Sequence, residues 1–476
     1  MNITKKDYIN IFAMIFIAII IGLMPSFAQI SDVGMKVLGV FISVLYGWIF
    51  VGLFLPSLWG FIALGFTGYT TVIGAFASGF GNQSWLMVMI VMVISGAMQE
   101  SKLTNFIADW FLKKDFFRKN PWRLVCGFVL LAFILGACGG GLAVTFLLWA
   151  IICTIADDCN MEKRNKAVAF LLFLVNIAVS NGVCMIPFQT GALIYGGFFT
   201  QATGIALPFA QFMIYGAVIF GLPLVLVLLI ARYVLKIDVS QFEMSDKLKA
   251  ELDSRTSTKA QRVSFYILVI YALALLLPGV FPKIPGMIFL KKLGIVGISA
   301  ITVFVMALIK VDGKTLIDAE EVFTKHINWT LLLLLAVTFP LADALKSPDT
   351  GIMASISAWA TPILSNFGLV PFIIFSIIIL GLLTQVSHNV VLGAMFIPFL
   401  CPLCESLGGN IIAYWFMIYA VLNAAFVTPA ASMQSAMYFG HERAIVGDGY
   451  KLGIIYLIVT FAVLFVVGIP LGNIVF

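Results

Sequence analysis

Thirteen residues, Gly381-Leu-Leu-Thr384-Gln385-Val-Ser387-His388-Asn389-Val-Val-Leu-Gly393, set five polar side chains between two strongly apolar arms. The arms, Phe367 to Leu380 and Ala394 to Cys404, hold 14 and 11 residues. A helix needs ~20 residues to cross the hydrocarbon core, so each arm reaches little more than halfway. Two half-length helices meeting at a polar tip form a hairpin that enters and leaves on one face. Such a tip survives only inside protein or beside a wet cavity, because unpaired backbone groups in lipid are costly. The rest of the chain must therefore build walls around it.

The composition supplies such walls. Of 476 residues, 62% are hydrophobic and 11% charged, with a mean hydropathy of +1.09. A soluble domain of that make-up would lack a polar shell, so the chain is an all-α polytopic membrane protein. The net charge of +6 reports orientation in the bilayer and points to no nucleic-acid partner. Seven cysteines lie mainly in apolar segments and read as small hydrophobes, including the Cys401-Pro-Leu-Cys404 pair.

In chain order, Ile11 to Met24 follows Lys5 and Lys6 and reads as an uncleaved first span, although Ser26-Phe27-Ala28 resembles a signal-peptidase site. Val37 to Phe66 is too long for one crossing and divides into spans 2 and 3; Trp85 to Gln99 is span 4. Ser101 to Arg123 mixes aromatic and basic residues and suits an amphipathic interfacial helix. Residues 124–156 repeat the hairpin design around Gly136-Ala-Cys-Gly139-Gly140-Gly141. Ala167 to Thr200, interrupted by Ser180-Asn181-Gly182 and Pro187, is a broken span 5, and Leu207 to Leu235 is span 6. Lys236 to Arg262 is a polar, helical linker. Spans 7 (Val263 to Phe281), 8 (Leu293 to Ile309) and 9 (Trp329 to Leu345) follow, then a second interfacial helix over Ile352 to Leu364. The hairpin of residues 367–404, a broken span 10 (Ile411 to Phe439, with Pro429) and span 11, ending at Pro470, complete the chain.

The expectation is about 11 transmembrane helices plus two re-entrant hairpins, arranged as residues 1–235, a linker at 236–262, and residues 263–476. The halves echo each other. Trp85 and Trp329 each open a span that leads to an amphipathic segment and a hairpin, and Pro187 to Gly196 is echoed by Pro429 to Gly440. Hairpins on opposite faces would make this an inverted repeat. With the amino terminus inside the cell membrane, 23 of the 28 Lys and Arg fall on the cytoplasmic side, leaving Lys36, Lys283, Lys291, Lys292 and Lys346 outside.

Paired hairpins, broken spans 5 and 10, the run Ile327-Asn-Trp-Thr-Leu-Leu-Leu-Leu and Phe426-Val-Thr-Pro resemble the divalent anion:sodium symporter (INDY-like) family of the ion transporter superfamily over nearly the whole chain. The resemblance implies a homodimer and a Ser-Asn-Thr motif at each tip, whose groups contact substrate carboxylate and help form a sodium site. Counted back from Pro398, the second tip matches with His388-Asn389-Val390, so Asn389 alone is retained, with Thr384 and Ser387 as neighbouring hydroxyls. The first tip matches with Gly139-Gly140-Gly141 and has no side-chain donors. Sodium ligands implied in this way are Thr384 and Asn389 at the second tip, and carbonyls near Asn181 and Gly182 at the first.

Physical chemistry gives each candidate a role and an alternative. Gly139 to Gly141 let backbone N–H groups converge on an anion at a half-helix amino terminus; the alternative is close helix packing. Asn389 offers donors to a carboxylate or an oxygen to a cation, or ties the tip together. His388, an ionisable group at membrane depth, suits a proton-coupled or pH-sensitive site, or is a neutral histidine bonded within the bundle. Gln189 and Thr190 after the first break, and Thr428, Ser432 and Gln434 after the second, complete the polar set. His326 and His441 are flanked by charge and read as solvated.

No HExxH or GxSxG pattern and no paired Asp at depth supports an intramembrane enzyme, and no cofactor is expected. The expected activity is secondary active transport of small organic anions, di- or tricarboxylates first, coupled to sodium or protons. Exchange or symport of sulfate or a monocarboxylate, and an anion channel, are the alternatives.

Overall fold

The computed structural model describes residues 5–139, 141–281, 283–355, 358 and 368–476. Helices begin where the sequence supplies a short oxygen acceptor. Ser31, Asn82, Asn120, Asn165, Thr258 and Asn328 each accept a backbone N–H from the first turn of the helix that follows. Among the described residues nine helices are long and apolar enough to cross a membrane, ten if one bent pair counts as a span. The fold is all-α and polytopic, apart from a short β-hairpin of β1 (Lys310–Val311) and β2 (Lys314–Thr315).

The first half contains α1 (Lys5–Leu23), α2 (Asp32–Phe50), α3 (Phe54–Gly65), α4 (Val72–Phe80) and α5 (Gln83–Glu100). Here the expected full-length span 3 is corrected. The chain instead makes two short helices, α3 and α4, joined through Gly68 at φ +87°, and α4 meets α5 at 52°. Two helices of 12 and 9 residues reach only ~18 and ~14 Å. Gly65 is the reason for the tight return, since a Cβ there would collide with Val72.

Next come α6 (Leu103–Leu112), α7 (Asp115–Arg118), α8 (Pro121–Ala137), α9 (Gly141–Asp158), α10 (Lys166–Met185), α11 (Thr190–Thr203) and α12 (Phe209–Leu229), which runs on through a π-helical turn to Val234. α6 buries Leu103, Ile107, Ala108, Phe111 and Leu112 and exposes Trp110. Broken span 5 is corrected in part: α10 runs unbroken through Ser180-Asn181-Gly182, and the single interruption falls at residues 186–189, around the expected Pro187.

The remainder comprises α13 (Asp246–Ser254), α14 (Lys259–Val280), α15 (Pro285–Leu308), α16 (Ala319–Lys325), α17 (Trp329–Lys346) and α18, whose described start is residues 352–355. The expected interfacial helix at 352–364 otherwise lies outside the described residues. Then follow α19 (Leu369–Leu383), α20 (Asn389–Ser406), α21 (Ile411–Asn423), α22 (Met433–Phe439), α23 (Val446–Val463) and α24 (Ile469–Val475).

Side-chain ties between helix ends gather in two polar layers. One contains Asn10 on the Phe50 carbonyl, Arg118 on Asp253, Ser245 on Asp158, Gln261 on the Lys102 carbonyl, His326 on Glu100 and Arg443 on Asp157. The other contains Ser31 on the Asp349 carbonyl, Asn82 on Gln201, Gln201 on Asp343 and Lys346 on the Gln201 carbonyl. Between them α10 and α21 are buried on nearly every side, which suits their largely apolar sequences and sets both helix breaks at the centre.

Candidate substrate-binding site

Helix directions bring the amino termini of different segments together. α19 and α21 run side by side the same way: Phe372 and Ser376 meet Tyr414 near their starts, and Gly381 meets Val421 near their ends. α20 turns back from α19 and so opposes α21. α11 opposes α21 as well, with Trp415 against Phe199, Tyr419 against Tyr195 and the Tyr419 hydroxyl beside Gly191. Thus α11 and α20 run in parallel. Gly393 lies so close to the Tyr195 ring that a Cβ would push it, which holds Thr190 and Asn389, the first residues of the two helices, at one level.

The first half is packed alike. α8 presses on α10, where a Cβ on Gly136 or Gly182 would collide with the carbonyl of Val179 or Phe133. α22 opposes α10, with Asn176 donating to the Gln434 carbonyl (2.8 Å) and Phe173 edge-on to Tyr438. α9 therefore runs beside α22, and Trp149 meets His441 at 5.0 Å.

At the second tip, the Thr384 hydroxyl lies 2.9 Å from both the Asn389 Oδ1 and the Leu422 carbonyl. Leu422 is the twelfth residue of a helix that starts at the second polar layer, so the tip sits ~17 Å deep, about half the hydrocarbon core. The residue that composes this tip is one the sequence reading passed over. Gln385 is buried; its Nε2 donates to the carbonyls of Gly381 (2.9 Å) and Ala424 (3.1 Å), and its Oε1 accepts from the Val427 amide (3.0 Å). Its own carbonyl accepts from Thr428. One amide thus pins the hairpin to the unwound segment 424–432, whose groups would otherwise be orphaned at depth. The signal available in the sequence was a glutamine inside the polar cluster of the hairpin tip, where only a donor and acceptor combined can satisfy both kinds of backbone group.

At the first tip the ties among the described residues are fewer. The Gly139 carbonyl accepts from Ser95 (3.1 Å), and Gln189 donates to the Ala137 carbonyl (3.3 Å). Gly139 has φ +89° and Gly141 +43°; a Cβ on Gly141 would meet nothing within 4 Å, so its backbone faces open space. Gly140 lies outside the described residues. Conformation as well as packing thus requires glycine at Gly139.

The candidate residues separate into two groups. The Thr190, Ser387 and His388 side chains and the Asn389 Nδ2 have no hydrogen-bond partner among the described residues and lie at the level amino termini of α11 and α20; His388 as a residue is exposed. The reading of His388 as a histidine bonded inside the bundle is thereby corrected. Thr428 and Ser432 donate to the Gln385 and Ala425 carbonyls, so their protons serve the unwound segment. The Asn181 side chain is committed within the bundle, which leaves only backbone carbonyls there for the expected ion-ligand role. Asn181 donates to the Phe220 carbonyl (2.8 Å) and accepts from Tyr456 (2.8 Å), both buried, while Gly182 exists to let α8 approach. His441, expected in solvent, packs on Trp149 and accepts the Arg443 amide at Nδ1 (3.1 Å), and Arg443 itself is buried.

No Lys or Arg side chain bonds to either tip among the described residues. The positive ends of α11 and α20, with partial charges of about half a unit each, and unpaired neutral donors are what an anion would meet there.

A profile of the citrate transporter family matches residues 37–421. The chain belongs to the citrate transporter family. It is 28% identical over 155 residues to human solute carrier family 13 member 1; that stretch is 32% of this chain and 25% of the relative. The crystal structure of the Alcanivorax borkumensis YdaH transporter superposes with a TM-score of 0.58 at 14% identity, over 84% of this chain and 88% of that one, and shares the fold. These matches uphold the resemblance to divalent anion:sodium symporters. Membership of this family makes the chain a transport protein and not an enzyme.

Proposed function

We propose that this transporter carries di- or tricarboxylates, citrate first, by alternating access. The observation that carries the reading is the pair of level, parallel helix starts at Thr190 and Asn389, with unpaired donors from Thr190, Ser387 and Asn389 beside them. Two helix dipoles and neutral donors favour a multivalent carboxylate without the tight grip of a buried Arg. Gly141 would add an open backbone amide from the first tip.

The hairpins are re-entrant in this proposal, and residues 1–235 and 263–476 form an inverted repeat joined by the linker at 236–262. The polar layer holding Asn10, Glu100, Asp158 and Asp253 carries most of the Lys and Arg and would be cytoplasmic, with the amino terminus inside and the protein in the cell membrane as a homodimer. Thr384 and Asn389, with the Leu422 carbonyl, are the donor set that suits a coupling sodium; His388 is the group suited to a proton.

Thermal stabilisation by citrate, succinate, sulfate and acetate, each as sodium or choline salts, tests this, since a ligand that binds the native state raises its stability by mass action. Citrate should stabilise most, and more with sodium. Saturable citrate uptake into proteoliposomes should follow. If sulfate or acetate alone stabilises, the substrate class is wrong; uptake that never saturates would indicate a channel.

A further inference from the structure

The outer end of α11 is tied to its neighbours through one residue. Gln201 accepts from Asn82 at the start of α5 (3.0 Å), donates to Asp343 of α17, and offers its carbonyl to Lys346 (2.7 Å). Along the rest of α11 the contacts with α5 and α17 are smooth. Gly197 faces Ser84 and Phe339, and a cavity of about 170 Å³, lined by Ser84, Met87, Leu193, Gly196 and Thr200 among others, separates α11 from α5. On its other side α11 is seated against α20 and α21, with Trp415 donating to the Tyr195 carbonyl (3.1 Å).

We propose that Gln201, Asp343, Lys346 and Asn82 form a latch that holds α11 against α5 and α17 on this face and must open in each transport cycle. The proposal rests on the alternating-access reading. A helix whose amino terminus helps hold the substrate must travel with the second hairpin, because α20 and α21 grip it along its length. Its other side, small-residued, partly hollow and, among the described residues, free of further hydrogen bonds, offers little resistance to sliding. Only the end at Gln201 carries bonds that motion would break, one of them to a carboxylate half withdrawn from water. A hydrogen bond to a charged group is stronger than a neutral one, so this contact sets how often the interface parts.

The first test needs no substrate. In a protein whose four partly accessible cysteines, Cys126, Cys138, Cys153 and Cys159, are replaced, Ser84→Cys reports access to the cavity through its rate of reaction with a membrane-impermeant thiol reagent. Gln201→Ala should raise that rate by roughly tenfold, the factor expected for losing a hydrogen bond to a charge; Gln201→Glu, which sets two carboxylates together, should do the same. Unchanged labelling in both, with unchanged melting, overturns the latch. The second test joins Gln201→Cys to Asp343→Cys with a short, cleavable bifunctional thiol reagent. Joined protein should lose citrate uptake and regain it on cleavage; uptake at the unjoined rate overturns the proposal. If the unjoined protein carries no tested anion, the transport reading fails while the labelling still decides the latch.

Discussion

At the second tip, side chains do the holding: Thr384, Gln385 and Asn389 link α19, α20 and the unwound segment after α21. At the first, among the described residues, Gly139 and Gly141 take left-handed conformations and only Ser95 and Gln189 reach in with side chains. The two hairpins share a packing plan yet are tied by different means. A tip tied by side chains has fixed oxygens to offer a cation. A bare glycine tip has open amides to offer an anion. In the proposed function the second tip would serve the coupling ion and the first would contact the anion, and that division can be broken or sharpened at named positions.

The largest effect is expected at Gln385. Gln385→Ala would orphan the Ala424 carbonyl and the Val427 amide at depth, lowering stability by about 4 kcal/mol, read as a large fall in detergent melting temperature. Gln189→Ala, which removes one 3.3 Å bond, should cost less than about 1 kcal/mol. Equal losses would erase the contrast between the tips.

Glycine substitutions come next. Gly182→Ala drives a Cβ into the Phe133 carbonyl and should destabilise by about 3 kcal/mol. Gly141→Ala meets open space, with only the strain of its φ of +43°, roughly 1 kcal/mol. The Gly141 variant should remain folded but lose citrate-induced stabilisation; full stabilisation would remove the first tip from the site.

Asn389→Ala should weaken the sodium dependence of citrate binding by about tenfold while leaving binding in choline less affected. Identical titrations in wild type and variant would count against an ion site at the second tip. His388→Asn should barely move melting, within ~0.5 kcal/mol for an exposed group without partners, but should flatten the pH dependence of uptake between about pH 5.5 and 8. Flat profiles in both proteins would rule out His388 as the proton site.

The smallest effect lies at the far end of the first hairpin. Burial against Trp149 and Cys153 holds the His441 pKa below its ordinary 6.5, helped by Arg443 and opposed by Glu442. With the folded value depressed, the unfolded chain binds more protons in the interval just below pH 6.5, so stability falls as pH drops through that interval and levels off beneath the folded pKa. His441→Gln should remove this step from melting curves taken between pH 7 and 5; an unchanged step would place its origin elsewhere.

Much of this was legible in the residues. Long apolar runs can satisfy their backbone in lipid only as helices, so the class and the main spans follow from composition and length. A polar cluster between short apolar arms cannot face lipid, so Thr384 to Asn389 pointed to the site. Tertiary structure alone decided the rest. Ser180-Asn181-Gly182 looks like a helix break, yet Gly182 admits the Phe133 carbonyl and Asn181 is bonded on both sides by Phe220 and Tyr456; neither neighbour is near in sequence. Val37 to Phe66 measures as two spans, yet the return at Gly65 onto Val72 makes a pair of short helices. Gln385 and Gln201 are ordinary glutamines in the chain, and their weight comes from carbonyls, amides and a carboxylate that folding delivers from dozens or hundreds of residues away. Periodicity and length register what one segment needs from its solvent. Which partner satisfies a buried polar group depends on segments that meet only in the folded bundle.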